Sequence, residues 1–345
     1  MTLIKEGFRP NPLKGFQVDP QAIRYIGEDL HRPECILAER DGTLWSADAR
    51  GGVMKIAPDG TQQLISQAPD PHFDIGADAA GSLLSGTLPN GLAFASNGDF
   101  LISNFGTDRL ERMTRQGETT VMLDKVDGRD PGKVNFVLRD SRDRIWVTVS
   151  TMINPWSDAI RKDLHDGYII LVDDKGARVV AEGFHFTNEI RLDANEEWLY
   201  VAETTAKRIT RLRVQRDGSL TDREVYGPSS LGAGMIDGIA FDAYGNLWAT
   251  MIFADRLVAI APDGELLELL DDGNPSATAA LEGAFATGDP VPFDTLMAAC
   301  GTICPWLASV TFGGPNLRTA HLGGLRSTNI PAFESPVAGL PMVHW

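Results

Sequence analysis

The sequence predicts an all-β fold, a six-bladed β-propeller with four-stranded antiparallel blades around a central channel. Segments rich in β-branched and aromatic residues recur between Gly, Asp and Asn turns, and long amphipathic helices are nearly absent before residue 265. One strand-turn-strand pattern occurs six times along the chain. A unit of this size cannot bury both of its faces alone, so six units around an axis are favoured. A pair of β-sandwiches predicts no such repeat.

The repeated pattern is a short apolar strand, a polar turn and a second strand that opens on Leu, Ile or an aromatic residue. Its clearest copy is "CILAERDGTLWSAD" at 35 to 48. The others are "GLAFASNGDFLISN" (91 to 104), "FVLRDSRDRIWVTV" (136 to 149), "EIRLDANEEWLYVA" (189 to 202), "GIAFDAYGNLWATM" (238 to 251) and the weaker "VTFGGPNLRTAHLG" (310 to 323). Third strands such as "GGVMKIAPDG" follow several copies, which gives each blade three or four strands.

Two segments lie outside the repeats of what we interpret as a single domain over residues 1 to 345. The N-terminal stretch of about 30 residues is expected to be an arm or a segment that closes the propeller. Residues 265 to 305 depart from the pattern and are interpreted as an insertion in the last blade, with helical turns around 279 to 286 and 294 to 300. This insertion either acts as a lid or covers an edge.

Composition narrows the classes of partner. Apolar residues make up 43% of the chain and charged residues 23%, as in a soluble globular protein. The 47 acidic residues outnumber the 31 basic ones, and a net charge of −16 disfavours nucleic acid and anionic membranes. The start of the chain has no signal-like apolar run, so a cytoplasmic location is expected. The oligomeric state stays open, and the three cysteines are expected to be reduced.

The residue at the head of each first strand is polar in all six copies. In the first five copies it lies ten positions before the residue that opens the second strand, so the register is shared. The six residues are Glu34, Asn90, Asn135, Asn188, Asp237 and Ser309. The first strands of a propeller line its channel, so these residues are expected to form a ring at one mouth.

The ring supplies oxygen donors only, two of which are carboxylates. Two buried carboxylates side by side repel each other unless a cation neutralises them. Hard oxygen ligands suit Ca²⁺ best, with Mg²⁺, Mn²⁺ or Zn²⁺ as alternatives. We predict Glu34, Asn135, Asn188 and Asp237 as the ligands. The competing interpretation is that these residues only satisfy backbone groups at strand starts.

The chain resembles the SMP-30/gluconolactonase/luciferin-regenerating-enzyme family over roughly residues 30 to 325. The motifs that carry the resemblance are "PECILAERDGTLWSAD", "VNFVLRDSRDRIWVT", "FTNEIRLDANEEWLYVAET", "IDGIAFDAYGNLWAT" and "TFGGPNLRTAHL". The resemblance implies a divalent metal held by Glu34, Asn188 and Asp237, with Asn135 as a direct or nearby ligand. It also implies lactone hydrolysis, often of sugar acids. Sugar-lactone members often carry Arg where this chain has Lys133, which cannot form a bidentate fork, so the lactone stays open.

The expected reaction is the opening of a small lactone by metal-activated water. Asp237 is the first choice for the group that takes the proton of the water and Glu34 the second, with direct attack by Asp237 as an open alternative. His185, three residues before Asn188, is predicted to shuttle a proton or contact the substrate. The predicted substrate contacts are Asn90, Lys133, Asn135, Trp156 and His185. The alternatives are a phosphotriesterase-like hydrolase and a non-catalytic propeller whose structural calcium supports binding of a metabolite or a protein.

Overall fold

The computed structural model describes residues 10 to 68, residue 83 and residues 86 to 345. These residues form six sheets, each of four antiparallel strands. The prediction of an all-β, six-bladed propeller is therefore confirmed. In each blade the first strand lies innermost, because the six first strands contact one another in sequence around the ring.

The first three blades and the N-terminal strand comprise thirteen strands in the described part of the chain. In chain order they are β1 (Arg24–Ile26), β2 (Ile36–Ala38), β3 (Leu44–Asp48), β4 (Gly52–Ile56), β5 (Gln62–Ser66), β6 (Pro89–Phe94), β7 (Phe100–Asn104), β8 (Arg109–Met113), β9 (Thr119–Leu123), β10 (Val134–Arg139), β11 (Ile145–Val149), β12 (Gly167–Asp173) and β13 (Gly176–Phe184). Strands β2 to β5, β6 to β9 and β10 to β13 form one sheet each.

The last three blades contain the remaining strands and the two α-helices. They are β14 (Thr187–Leu192), β15 (Trp198–Glu203), β16 (Arg208–Val214), β17 (Leu220–Tyr226), β18 (Met235–Phe241), β19 (Leu247–Ile252), β20 (Arg256–Ile260), β21 (Leu266–Asp271), α1 (Pro275–Ala286), α2 (Phe293–Ala298), β22 (Leu307–Gly313), β23 (Thr319–Gly324) and β24 (Ile330–Glu334). In five blades the second strand begins at the residue that the ten-residue spacing indicated.

The sixth blade is completed by the N-terminal part of the chain. Its sheet has the order β1-β24-β23-β22, so β1 is the outermost strand and Arg24 pairs with Ala332. The residues before β1 also contact the fifth blade, where the backbone amide of Val18 donates to the carbonyl of Leu269 at 2.8 Å. The N-terminal segment thus closes the ring by joining its last two blades.

Residues 265 to 305 differ from the expected insertion within the last blade. Leu266–Asp271 is β21, the outermost strand of the fifth blade, whose backbone pairs with β20 from Ile260 to Arg256. The two helices follow it and lie between the fifth and sixth blades along the chain. The leucine-rich stretch fits a helix or an outer strand equally well by pattern, and pairing with a free sheet edge decides for the strand.

The core consists of apolar side chains packed between neighbouring blades. Trp146, Trp248 and Trp306 are among its largest fully buried members. The three cysteines are unpaired. In the described part of the chain, every helix is too short or too polar to cross a membrane.

Candidate active site

Four of the predicted ring residues lie at β-bulges in innermost strands. The ladder between first and second strands is interrupted between Pro89 and Leu92, Val134 and Phe136, Thr187 and Ile190, and Ile236 and Ile239. These interruptions contain Asn90, Asn135, Asn188 and Asp237. A bulge re-aims a side chain away from regular alternation. Together with Glu34, which comes two residues before β2, all four side chains line one pocket at the amino ends of the inner strands.

A hydroxyl group on the second strand supports the bulge in three blades. In each, a backbone amide freed from the ladder donates to a Ser or Thr side chain twelve residues further along the chain. The pairs are Gly91 with Ser103 (2.8 Å), Phe136 with Thr148 (3.0 Å) and Gly238 with Thr250 (2.8 Å). Since a buried amide without a partner is costly, these hydroxyls stabilise the geometry that presents the ring residues.

The floor of the pocket is a network of carboxamides around Glu34. Asn90 Nδ2 donates to Glu34 Oε1 at 2.9 Å and to the carbonyl oxygen of Asn135 at 3.0 Å. Asn188 Nδ2 donates to Thr204 Oγ1 at 3.2 Å. These bonds use the amide nitrogens, and of the carboxamide oxygens Asn188 Oδ1 is left without a hydrogen-bond partner. Ser309, the sixth predicted member, instead donates to the backbone carbonyl of Glu34 and does not line the pocket.

Three of these oxygens are buried without a hydrogen-bond partner: Glu34 Oε2, Asn188 Oδ1 and Asp237 Oδ1. Buried polar atoms in native proteins nearly always have a hydrogen-bond partner. Three such oxygen atoms without one in the same pocket therefore indicate a site for a ligand that oxygen atoms coordinate. Two carboxylate oxygens and one amide oxygen suit a hard divalent cation such as Ca²⁺. Among the described residues no three His, Cys, Asp or Glu side chains form a group that could hold a metal ion, so the candidate ligand set depends on the Asn oxygen.

Arg32 belongs to the same floor, and sequence reasoning missed it. Its Nη2 donates to Asn90 Oδ1 at 2.6 Å and lies 3.1 Å from Glu34 Oε2, an ion contact without hydrogen-bond geometry, while its Nε has no partner. The backbone of Arg32 has a φ of 57°, a left-handed conformation that is uncommon outside glycine. The one available signal was its position two residues before Glu34.

Burial dominates the electrostatics of the floor. It raises the pKa of Glu34, against the field of Arg32, and it raises the pKa of Asp237 well above its ordinary value, with Glu34 and Glu189 adding to the rise. Burial also raises the pKa of Glu189 to about 7. Glu189 forms an ion pair with Arg191 at 2.8 Å and accepts from the amide of Ile239 in the next blade. It therefore lies at the blade interface, away from the pocket lining.

The walls of the pocket are apolar. The lining side chains above the floor are Phe105, Trp156, Ile160, Phe186, Ile252, Phe253 and Leu325, and none of them is more than 9% exposed. Phe105, Trp156 and Phe186 form an edge-to-face series with ring centroids 6.3 and 6.5 Å apart. Trp156 thus lies where a substrate contact was predicted.

Comparison with known proteins places this architecture in a family. The model of the SMP-30/Gluconolactonase/LRE-like region matches residues 32 to 284. The chain belongs to the SMP-30/gluconolactonase/LRE-like family. The match includes all five ring residues that line the pocket, from Glu34 to Asp237. The resemblance inferred from the sequence motifs is therefore confirmed.

Individual members of the family and related structures are distant from this chain. A 6-deoxy-6-sulfogluconolactonase of Pseudomonas putida is 23% identical over 59% of the chain, which spans only 58% of that relative's length. A gluconolactonase structure from Xanthomonas campestris superposes with a TM-score of 0.63 at 17% identity, over 92% of this chain and 89% of the other. A calcium-binding protein from Agrobacterium tumefaciens, regucalcin, gives 0.64 at 15% identity, over 91% and 95%. At these identities the structural neighbours show the fold alone.

Two of the predicted site residues do not line the pocket. The ammonium of Lys133 lies 3.1 Å from a carboxylate oxygen of Asp108 and 5.8 Å from the ring centre of Phe105. Its side chain is only 9% exposed. Phe105 contributes to the pocket wall and Lys133 does not. Lys133 therefore lies outside the described lining of the pocket, and its contact with a substrate stays a prediction.

His185 also lies outside the pocket lining, although it precedes Asn188 by three residues. Its backbone amide donates to Glu203 Oε2 at 3.0 Å, its Nδ1 lies 3.2 Å from the same oxygen, and its ring stacks on His165. The next residue, Phe186, has a φ of 56°, and its side chain enters the pocket wall instead. Sequence distance alone misplaced His185, because this left-handed residue reverses which side chain faces the pocket.

Proposed function

We propose that the chain is a metal-dependent lactonase, an enzyme that hydrolyses small cyclic esters at the floor of the pocket described above. The observation that carries this proposal is the group of three buried, unpartnered oxygens on Glu34, Asn188 and Asp237. Membership of a family with gluconolactonase in its description supports the same reaction class. So does the relative named 6-deoxy-6-sulfogluconolactonase.

Each residue of the floor has a separate role in the proposed reaction. Asp237 has two carboxylate oxygens, so one can hold the cation while the other accepts a proton from a water molecule that attacks the lactone carbonyl carbon. As the new carbon–oxygen bond forms, the bond to the ring oxygen breaks, and Asp237 returns its proton to that oxygen. The product is the open hydroxy acid. Asn90 fixes Glu34 Oε1 and keeps Oε2 directed to the pocket.

Glu34, Asn188 and Asp237 are the residues that would hold a divalent cation, with Asn135 beside them. Asn135 Oδ1 already accepts a long hydrogen bond of 3.3 Å from Asn90, so its part in the ligand set stays a prediction. When bound, such a cation supplies charge that polarises the ester carbonyl and stabilises the developing oxyanion. The apolar walls exclude bulk water and strengthen these interactions.

The test is a panel of γ- and δ-lactones with purified protein, before and after chelation and after Ca²⁺ is restored. We expect EDTA to abolish hydrolysis and Ca²⁺ to restore it. Asp237→Asn and Glu34→Gln should lower kcat/KM by at least about 100-fold with the fold retained. Glu196→Gln is the matched control, since Glu196 lies at the opposite end of the channel.

The same samples separate the proposal from its alternatives. Thermal melts with and without Ca²⁺ report binding without turnover, because a ligand that binds only the native state raises Tm. A Ca²⁺-dependent rise in Tm without hydrolysis of any lactone would indicate the non-catalytic propeller. Faster turnover of a phosphotriester than of every lactone would favour the phosphotriesterase-like hydrolase. Full activity in metal-free protein would refute the proposed mechanism.

A further inference from the structure

We infer that the preferred substrate is a lactone with an alkyl or aryl substituent, and that polyhydroxylated sugar-acid lactones are poor substrates. This inference rests on the proposed lactonase function and specifies its substrate class. It comes from the chemistry of the pocket walls, which face whatever part of the substrate extends away from the reacting carbonyl.

The apolar lining is contributed by five successive blades. Phe105 follows β7, and Trp156 and Ile160 lie between β11 and β12. Phe186 precedes β14, Ile252 ends β19 and is followed by Phe253, and Leu325 follows β23. The described apolar lining therefore faces the pocket from five of the six blades, so a substituent that leaves the floor in any of these five directions meets it.

These walls offer a substrate hydroxyl almost no side-chain partner. Trp156 Nε1 is the one polar side-chain atom among the seven described wall residues, and it already donates to the carbonyl oxygen of Leu83 at 3.0 Å. A hydroxyl pressed against these side chains loses its hydrogen bonds to water and gains none. An alkyl or aryl group in the same place gains by leaving water.

The hydrogen-bond donors of the floor are also largely occupied. The amide nitrogens of Asn90 and Asn188 donate within the floor, and Arg32 donates to Asn90 and, at 3.4 Å, to the carbonyl oxygen of Pro89. Arg32 Nε has no partner, and Thr204, whose hydroxyl accepts from Asn188, adds one hydroxyl group to the lining. The unpartnered oxygens of Glu34, Asn188 and Asp237 are required at the reacting centre. Lys133, the side chain expected to hold sugar hydroxyls, pairs with Asp108 outside the pocket. Among the residues that the structure describes, floor and wall together therefore offer too few free donors to bind several hydroxyl groups.

The experiment compares three probes with the Ca²⁺-loaded protein: δ-decanolactone, dihydrocoumarin and glucono-1,5-lactone, each corrected for spontaneous hydrolysis. We expect kcat/KM for the better of the first two to exceed that for glucono-1,5-lactone by at least 100-fold. Equal or faster hydrolysis of the sugar lactone would overturn the inference while leaving the lactonase function in place.

A binding measurement decides the inference even where no lactone is hydrolysed. Titration calorimetry with two unreactive lactams, one carrying a pentyl chain and one the hydroxyl groups of gluconic acid, reports the preference of the pocket directly. At least tenfold tighter binding of the pentyl lactam supports the inference. Equal or weaker binding overturns it.

Ile252→Thr tests whether the wall causes the preference, since the substitution replaces the ethyl branch of Ile252 by a hydroxyl group. We expect it to lower, by at least fivefold, the ratio of kcat/KM for the better of the two apolar lactones to kcat/KM for glucono-1,5-lactone. Ile260→Thr is the matched control, because Ile260 is a fully buried residue of the same blade that does not line the pocket. It should lower Tm comparably and leave the ratio unchanged. An identical shift in both variants would count against the assignment to the wall.

Discussion

The two ends of the central channel differ in size and in chemistry. At the amino ends of the inner strands lies the pocket with Glu34 and Asp237. At their carboxyl ends lies a cavity of about 170 Å³, lined by residues such as Phe94, Phe241 and Phe312 and covered by residues 340 to 345. The second cavity is the larger of the two. Volume alone would therefore point to the mouth opposite the proposed site.

The two sites differ in whether the buried polar atoms of their lining residues have hydrogen-bond partners. Among the described residues that line it, none has a buried side-chain nitrogen or oxygen without a hydrogen-bond partner. Around it, three blades repeat one arrangement, in which a Trp indole donates to a carboxylate six residues earlier in the chain. The pairs are Trp45 with Glu39 (2.6 Å), Trp146 with Asp140 (2.9 Å) and Trp248 with Asp242 (2.9 Å).

The comparison indicates that polar side chains at the two ends of an inner strand have different uses. Those at the carboxyl end stabilise the fold, and those at the amino end are candidates for ligand binding. Five blades place an acidic or amide side chain at the amino end of the inner strand, and in three of these blades a carboxylate at its carboxyl end accepts from a Trp indole. At the carboxyl end these carboxylates have protein partners, which holds turns and blades together. At the amino end Glu34 Oε2, Asn188 Oδ1 and Asp237 Oδ1 have no hydrogen-bond partner. Buried oxygen atoms without a hydrogen-bond partner therefore mark the candidate site better than cavity volume does.

The largest contrast is expected between two buried aspartates. Asp140 accepts from Arg144 Nε at 2.6 Å and from Trp146 Nε1, and its side chain is fully buried. Asp140→Asn should lower the free energy of unfolding by about 3 kcal/mol, because it leaves the buried Arg144 without its counter-ion. Asp237→Asn in metal-free protein should leave it unchanged or raise it, since repulsion with Glu34 is removed. Urea unfolding measures both, and equal losses would erase the distinction.

His321 tests whether unpartnered atoms suffice to mark a site. Both of its ring nitrogens lack a partner, yet it lines neither pocket, and burial lowers its pKa to about 4, with the field of Arg24 adding a smaller effect. Between pH 6.5 and 4 the unfolded chain binds a proton that the folded chain does not. The stability contribution of the neutral ring is full above pH 6.5 and falls by about 3 kcal/mol on acidification to pH 4.

His321→Leu should therefore flatten the fall in the free energy of unfolding between pH 6.5 and 4. Lactone turnover at neutral pH should stay within about twofold of the wild type. Urea melts of both proteins across this pH range give the comparison, in which all other titrating groups cancel. Parallel curves would show that burial does not lower the pKa of His321 in the folded protein.

A smaller effect is expected from Arg32, whose charge lies within the predicted cation site. Arg32→Gln should strengthen Ca²⁺ binding about tenfold, or about 1.4 kcal/mol, because a positive charge 3.1 Å from Glu34 Oε2 opposes a second cation there. Titration calorimetry measures the change. Arg115→Gln, which removes a guanidinium paired with Glu39, should leave the affinity unchanged. Weaker Ca²⁺ binding in the Arg32 variant would show that Arg32 orders the ligands.

The smallest effect is expected from shortening the cover of the carboxyl-end cavity. Deletion of residues 341 to 345 removes partly exposed side chains and the contact between His344 Nε2 and the carbonyl oxygen of Ala38 at 3.1 Å. The free energy of unfolding should fall by about 1 kcal/mol. Activity and Ca²⁺ affinity should stay within about twofold of the full chain. Loss of turnover in the shortened protein would assign a function to this mouth after all.

The repeat made much of this structure predictable from sequence. The ten-residue spacing correctly fixed the blade register and brought Glu34, Asn90, Asn135, Asn188 and Asp237 together in one pocket. The bulges were not predictable, because an extra residue in a strand does not disturb a loose apolar pattern. Arg32 stands two residues before Glu34, as Lys133 does before Asn135, but the equivalent positions of the other blades are apolar. A search for positions shared by all blades therefore did not single it out. His185 was misplaced because one left-handed residue separates it from the strand.

The N-terminal segment has a consequence for how the molecule comes apart. It joins the fifth blade through Val18 and the sixth through β1, so two neighbouring blades are held by a strap that comes from hundreds of residues away in sequence. Such a long-range closure forms late and with a large entropic penalty, but once formed it blocks fraying of the ring from its last blade. The three-residue strand Arg24–Ile26 therefore holds the ring closed, and its separation from the sheet of the sixth blade is the expected first step of unfolding.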